Sequence, residues 1–228
     1  MFSFYGSKSK IIKIYPRPIY SAIIEPFAGS ARYSLLYFDK DITICDLDEM
    51  VIGVWKYLQQ ATEKDVLSLP NIPNSVELES VQGFSSLSNE EKWLIGYCCN
   101  RGSAIPKKHS GKFNSWDKDK IRISKNLYKI KHWNIILGTY DELENKKATY
   151  FVDPPYRVQG KWYRKNDINY NHLAEWCKSR NGQVIVCENY GADWLDFKFL
   201  KEIPFSHWKT EKDKKKRTKE VVWYNQNT

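Results

Sequence analysis

The four residues Asp153-Pro154-Pro155-Tyr156 carry the most chemical content in this chain, and they directly follow the apolar residues Tyr150, Phe151 and Val152. Two successive prolines fix φ and remove two N–H donors, so this backbone neither enters a helix nor extends a ladder. It projects rigidly from a strand end, where open α/β sheets bind their ligands. A carboxylate and a carbonyl held side by side suit a reaction at an exocyclic amine. Such an amine is a poor nucleophile because its lone pair is delocalised into the ring. If Asp153 and the Pro154 carbonyl accept its two N–H bonds, with Pro155 stiffening the platform, the nitrogen becomes more tetrahedral and can attack a sulfonium methyl in line. Tyr156 then offers a ring face to an extruded base. The plainer alternative is a proline turn that ends a strand, with Tyr156 packed against it.

A second constellation lies near the N-terminus. Glu25-Pro26-Phe27-Ala28-Gly29-Ser30 follows the apolar residues 22–24 and precedes a helical run. A small-residue turn between strand and helix lets backbone N–H groups approach a ligand closely. It lacks the Gly-Lys-Ser/Thr ending of a phosphate loop and is not G-x-G-x-x-G. It also fits a tight strand-to-helix connection. Asp46 stands seventeen residues beyond Gly29, at the end of a second apolar run. An acidic residue there is placed to accept hydrogen bonds from ribose hydroxyls. Asp48 is the better candidate for capping the next helix. Turn and strand-end Asp together predict an adenosine-containing cofactor. On these residues alone, S-adenosylmethionine (SAM) and a dinucleotide both remain open.

The elements that must hold these groups read as an α/β fold. Short apolar runs at residues 22–24, 42–45, 135–137, 150–152 and 184–187 have the look of strands covered on both faces. Leu47, Met50, Val51, Val54, Trp55 and Leu58 recur at helical spacing, and a second helical pattern surrounds Leu173, Trp176 and Cys177. Alternating strands and helices predict a mostly parallel sheet. The rhythm stops between residues 57 and 128. That stretch contains Pro70, Asn71, Pro73 and Asn74, an expected helix over 90–98, a basic loop over 100–115 and an expected helix over 119–129. Its roughly seventy residues exceed ordinary connections. The division expected is a catalytic domain of residues 1–56 and 131–228, with a mainly helical insertion at 57–130.

Composition narrows the partner. Of 228 residues, 36 are Lys or Arg and 27 are Asp or Glu, a formal charge of +9 that points to a polyanion. Nine Trp and fifteen Tyr suit base stacking and ordinary cores alike. Cys45, Cys98, Cys99, Cys177 and Cys187 are odd in number and show no C-x-x-C spacing, so reduced, buried thiols are expected. The four histidines are scattered, so no metal site is expected. No apolar run approaches a membrane span and no signal-peptide pattern opens the chain, which leads to the expectation of a cytoplasmic protein.

With these motifs in hand, the chain resembles the Dam-type family of SAM-dependent DNA adenine N6-methyltransferases over most of its length outside the insertion. Asp153-Pro154-Pro155-Tyr156 is similar to that family's catalytic word, and Glu25 to Ser30 to its first cofactor motif. Ala31 stands where a Gly is common. Asp46 and Leu47 resemble the ribose-binding strand end. Phe4-Tyr5-Gly6-Ser7-Lys8 looks like the segment that closes over SAM, Thr139-Tyr140-Asp141 resembles the segment beside the cofactor's adenine, and the residues from Arg217 to Tyr224 look like a strand of the terminal hairpin. The resemblance implies a Rossmann-like methyltransferase fold, a mostly parallel seven-stranded sheet with an antiparallel terminal hairpin. It also implies a bound SAM in contact with Tyr5, Gly6, Lys8, Tyr140 and Asp153 as well as the first motif, Asp46 and Leu47, a flipped adenine in double-stranded DNA, and a monomer in solution.

Cys99-Asn100-Arg101-Gly102-Ser103 resembles the start of the family's recognition segment. Arg101, Lys107, Lys108, His109 and Lys112, with Arg157, Lys214, Lys215, Lys216 and Arg217, are candidates for phosphate contacts, and Arg101 for reading a base. A solvated loop or charge run is the alternative for each. Arg157 and Lys161 are placed to order a loop over the target. Trp162 and Tyr163 either fill the gap left by a flipped base or simply pack. Competing functions are methylation of an RNA or protein amino group, methylation of cytosine N4, and DNA binding without catalysis. A nicotinamide oxidoreductase is disfavoured because the proline word offers no hydride-transfer logic.

Overall fold

The apolar runs become the strands of one twisted sheet. The computed structural model describes residues 1–100, 102–157, 162–204 and 217–225. Its strands are β1 (Ala22–Glu25), β2 (Asp41–Asp46), β3 (Asn134–Leu137), β4 (Ala148–Val152), β5 (Gly182–Asn189), β6 (Lys198–Pro204) and β7 (Arg217–Tyr224). The sheet order is β3-β2-β1-β4-β5-β7-β6. β1 to β5 pair in parallel, and β7 lies antiparallel to both β5 and β6. This is a Rossmann-like α/β fold ending in an antiparallel hairpin.

Side-chain alternation along each strand sorts the core into two layers. Ile23, Ile42, Ile44, Phe151, Ile185 and Cys187 pack on one face. Ile24, Cys45, Tyr150, Val152, Val184 and Val186 pack on the other. β1 and β4, at the centre, are buried at every residue, as expected of parallel strands covered on both sides. The chain passes outward from β1 through β2 to β3 and then returns to start β4 on the other side of β1. That reversal creates a crevice beyond the carboxyl ends of β1 and β4.

The helices are α1 (Arg32–Leu36), α2 (Glu49–Gln60), α3 (Glu63–Ser68), α4 (Asn89–Cys99), α5 (Trp116–Ser124) and α6 (Tyr170–Lys178). Asp48 caps α2 by accepting the Met50 N–H at 2.9 Å, as its place in the sequence suggests. Ser88 and Glu91 form a capping box on α4. The helix expected over 119–129 is shorter and sits earlier. Ser124 Oγ bonds to the Ile121 carbonyl, and the Asn126 amide to that of Arg122. Such side chains compete with the helical ladder, and a 3-10 turn at Leu127–Ile130 follows.

The segment between α2 and β3 folds onto the sheet's first face. Leu94, Ile95, Tyr97, Trp116 and Ile123 join the same apolar cluster as Trp55 and Leu58 of α2 and Phe151 of β4. The basic loop is anchored to the Pro/Asn stretch. Ser110 Oγ donates to the Pro73 carbonyl at 2.6 Å and accepts the Val76 N–H at 3.0 Å. Trp116 Nε1 donates to Pro70 and Lys120 Nζ to Leu69, each at 2.8 Å. All five cysteines are free and buried.

Candidate active site

A cavity of about 490 Å³ opens in the crevice beyond β1, β2 and β4. Among the sequence-predicted residues, Tyr5, Gly6, Lys8, Glu25, Pro26, Phe27, Ala28, Gly29, Ser30, Asp46, Leu47, Tyr140, Asp153 and Pro155 line it. Pro154 is buried beside it, and Tyr156 half-buried. Residues spread over the whole chain are thus gathered at one place by the crossover.

The glycine turn is held from three directions. Gly29 N–H donates to Asp46 Oδ2 at 2.9 Å, Trp55 Nε1 donates to the Gly29 carbonyl at 2.9 Å, and Ala28 N–H donates to the Cys45 carbonyl at 2.9 Å. Gly29 has φ +43°, and a Cβ there would press on the Phe4 ring at 3.0 Å. Both facts favour glycine. Ala31, where the resembling family has Gly, also has φ 43°. It carries strain of roughly 1–2 kcal/mol there.

Asp46 uses its other oxygen to accept the Asp48 N–H at 2.9 Å. Burial pushes its carboxyl up to about 6, with the hydrogen bonds from Gly29 and Asp48 opposing that rise. It is therefore mainly ionised at neutral pH. Glu25 lines the cavity, yet its carboxyl is committed to the protein, accepting the Ser34 N–H at 2.5 Å in the first turn of α1. Burial pushes it up to about 8.

An apolar wall stands beside Asp46. Phe27 and Tyr140 pack with ring centroids 5.5 Å apart, and the Tyr140 hydroxyl meets His172 Nδ1 at 2.9 Å. Leu47 is 47% exposed at the cavity edge. A large aliphatic side chain left open beside aromatic rings is a surface for a flat, apolar-faced ligand.

On the opposite side, Asp153 lies at the end of β4. Lys8 Nζ donates to Asp153 Oδ1 at 2.7 Å, stands 3.7 Å from Glu220 Oε1, and sits 4.5 Å above the Tyr156 ring. Burial alone would lower the Lys8 ammonium, but Asp153 and then Glu220 outweigh it and hold Lys8 protonated. Burial raises the Asp153 carboxyl, and Lys8 offsets part of that rise. Among the described residues, the Pro154 carbonyl takes no hydrogen bond, so an acceptor remains available. Tyr170 fixes the proline word by donating to the Pro155 carbonyl at 2.6 Å, and Glu188 fixes it by accepting the Arg157 N–H at 2.8 Å.

Sequence reasoning leaves Tyr163 between filling the gap of a flipped base and packing, and it does not reach Arg164 or Arg32. Tyr163 packs against Phe4 and Tyr5, and its hydroxyl donates to the Tyr5 carbonyl at 3.3 Å. It thus packs at the cavity, whereas Trp162 is 62% exposed. Arg164 reaches Asp48 Oδ2 at 3.2 Å and also pairs with Glu49, so residues after the proline word meet those after β2. Arg32 Nε and Ser30 Oγ both reach Ser7 Oγ, at 3.0 and 3.1 Å. Arg164 and Arg32 carry no local motif, whereas Ser7 and Ser30 belong to the motif segments 4–8 and 25–30. Nothing local links Arg164 with Glu49, 115 residues apart.

Among the described residues, the candidate phosphate contacts do not line the cavity. Lys107, Lys108, His109 and Lys112 are exposed on the anchored loop. That loop begins where Ser103 O accepts the Tyr5 N–H at 3.1 Å, which ties it to the cavity's N-terminal wall. Arg157 pairs with Asp193, and Arg217 is exposed at the start of β7. Arg101, Lys161, Lys214, Lys215 and Lys216 lie outside the described residues.

Fold and site together define a Rossmann-like α/β protein with its cavity at the switch point of the sheet. No family model matches the chain, and no curated protein matches it. Among the described residues, no helix is long and apolar enough to cross a membrane. No group of three or more His, Cys, Asp or Glu residues there could hold a metal ion.

Proposed function

We propose that this protein is a SAM-dependent DNA adenine N6-methyltransferase. The observation that carries this function is that Asp46 and Asp153, at the ends of β2 and β4, open onto one cavity. One suits a ribose and the other an amine. The donor set fits SAM. The Asp46 carboxylate is placed for ribose hydroxyls, Phe27, Tyr140 and Leu47 for the adenine ring, and the Gly29 turn, packed against Phe4 in the cavity wall, for close backbone approach.

When bound, SAM supplies an electrophilic methyl whose S–C bonding pair stays on sulfur, leaving a neutral thioether. The Asp153 carboxylate and the Pro154 carbonyl accept the two N6–H bonds of an extruded adenine, which frees the nitrogen lone pair to form the N–C bond. The positive charge that develops on N6 faces a buried cluster of two carboxylates and one ammonium, which favours it electrostatically. The surplus N6 proton lies on the hydrogen bond to Asp153, which can take it. The Tyr156 ring supports the base.

Duplex DNA is the acceptor favoured by the +9 charge and by the exposed lysines of the loop tied to Tyr5. Labelled methyl groups from SAM should enter unmethylated duplex DNA, and not RNA or protein. Label in RNA or protein alone would contradict the proposal, as would no measurable SAM binding.

A further inference from the structure

Glu220 lies within the hairpin strand with no role assigned to it by the sequence, yet it joins the two ends of the proline word. It lies on β7, opposite Asn189 of β5 and Lys201 of β6, and is 2% exposed. Its Oε1 accepts the Tyr156 hydroxyl at 2.5 Å and the Tyr15 hydroxyl at 2.6 Å, and it stands 3.7 Å from Lys8 Nζ. Lys8 in turn holds Asp153 Oδ1 at 2.7 Å. Glu220 does not line the cavity, so any influence on a reacting group passes through its neighbours.

Two carboxylates therefore share one buried ammonium, while burial, first of all, keeps both phenols neutral. A carboxylate buried at the end of a β7 side chain is costly unless it is paired. Among its partners here, Lys8 lines the cavity and Tyr156 belongs to the proline word, while Tyr15 is a buried anchor. If Glu220 were uncharged, Lys8 would have Asp153 as its only strong anion. The flexible four-carbon stem would then let the ammonium, already 2.7 Å from Oδ1, swing to cover the second Asp153 oxygen as well and compete with an amine for it. Holding Lys8 between two anions keeps Asp153 available as an acceptor. The bond to the Tyr156 hydroxyl fixes the tilt of the ring at the other end of the same word.

We infer that Glu220 is a positioning residue for methyl transfer, restraining Lys8 against Asp153 and orienting the Tyr156 ring. The role rests on the methyltransferase function proposed above.

Glu220→Gln tests the charge separately from the shape, because an amide oxygen can still accept from both tyrosines. The variant should keep its SAM affinity within about threefold while kcat falls by about tenfold or more. Lys8→Met should lower kcat further, and the double variant should match Lys8→Met alone, since Glu220 acts through Lys8. A readout free of turnover is the labelling of Lys8 by an amine-reactive ester, located by mass spectrometry. With one anion removed, less of the ammonium is held protonated, so Glu220→Gln should be labelled about threefold faster or more than wild type. Unchanged kcat and unchanged labelling would overturn the inference, as would additive effects in the double variant. If the wild-type protein transfers no methyl group to DNA, the proposed function fails on its own. Lys8 labelling then still decides whether Glu220 restrains the ammonium.

Discussion

Asp46 Oδ2 accepts the Gly29 N–H at 2.9 Å, so the residue suited to a ribose also braces the turn suited to the rest of the cofactor. The bond joins the ends of β1 and β2 across the cavity wall. It gives binding a pH dependence. The Asp46 carboxyl is pushed up to about 6 by burial, and its protonation removes the charge that strengthens hydrogen bonds from ribose hydroxyls. SAM affinity should be constant above neutral pH and should fall as pH drops through about 6. Asp46→Asn should weaken binding by roughly 10- to 100-fold at pH 8 and abolish that inflection. Calorimetric titration across pH 5–8 checks both, and an unchanged affinity in the variant would remove Asp46 from the site.

Glu25 gives stability a slope of opposite use. Burial raises its folded-state value from the ordinary 4.5 to about 8. Between those values the folded protein holds the proton that the unfolded chain has released. This contribution is therefore fully present below about 4.5 and is lost as pH rises through about 8. The slope is on the order of 1 kcal/mol per pH unit in that window. Glu25→Gln should flatten it and leave the variant more stable than wild type at pH 8.5. Urea unfolding at pH 5 and 8.5 measures it, and equal slopes in both proteins would contradict the assignment.

Gly29→Ala should damage the cavity before it damages the fold. The substitution forces φ +43° on a side chain and pushes its Cβ against Phe4, at a cost of about 1–2 kcal/mol or more. A loss of SAM affinity of about tenfold or more is expected, with far-ultraviolet circular dichroism unchanged. Wild-type affinity would mean that the turn yields without consequence.

Much of this arrangement is legible in the residues themselves. Strands β1, β2, β4 and β5 announce themselves because both of their faces are buried, which leaves short uninterrupted apolar runs, whereas β3, with a similar apolar run, lies at the sheet edge and is only partly covered. Asp46, Gly29 and Asp153 are visible because each sits where a strand ends. Glu220 is not, because within β7 it is one polar residue beside Val221 and Val222, and its partners Lys8, Tyr15 and Tyr156 are distant in sequence. Pairings across 145 residues, such as Lys8 with Asp153, arise from topology and leave no local periodicity. The helix over 116–124 was displaced for a local reason, the side-chain bonds of Ser124 and Asn126.

The anchored loop gives a prediction for the partner. Lys107, Lys108 and Lys112 are exposed on a backbone pinned by Ser110. Replacing all three with Ala should weaken duplex DNA binding. It should also reduce the slope of log K against log salt by about 0.9 for each phosphate that is no longer neutralised. SAM affinity should not change. An unaltered salt slope would mean that these lysines are merely solvated.

The most direct test is to incubate the protein with unmethylated duplex DNA and SAM, digest the DNA to nucleosides, and identify the methylated one by mass spectrometry. Asp153→Ala serves as the paired control. N6-methyladenine should form with the wild-type protein and fall by about a hundredfold or more with Asp153→Ala, while SAM binding persists. N4-methylcytosine, no modified nucleoside despite SAM binding, or undiminished N6-methyladenine from Asp153→Ala would each contradict the account.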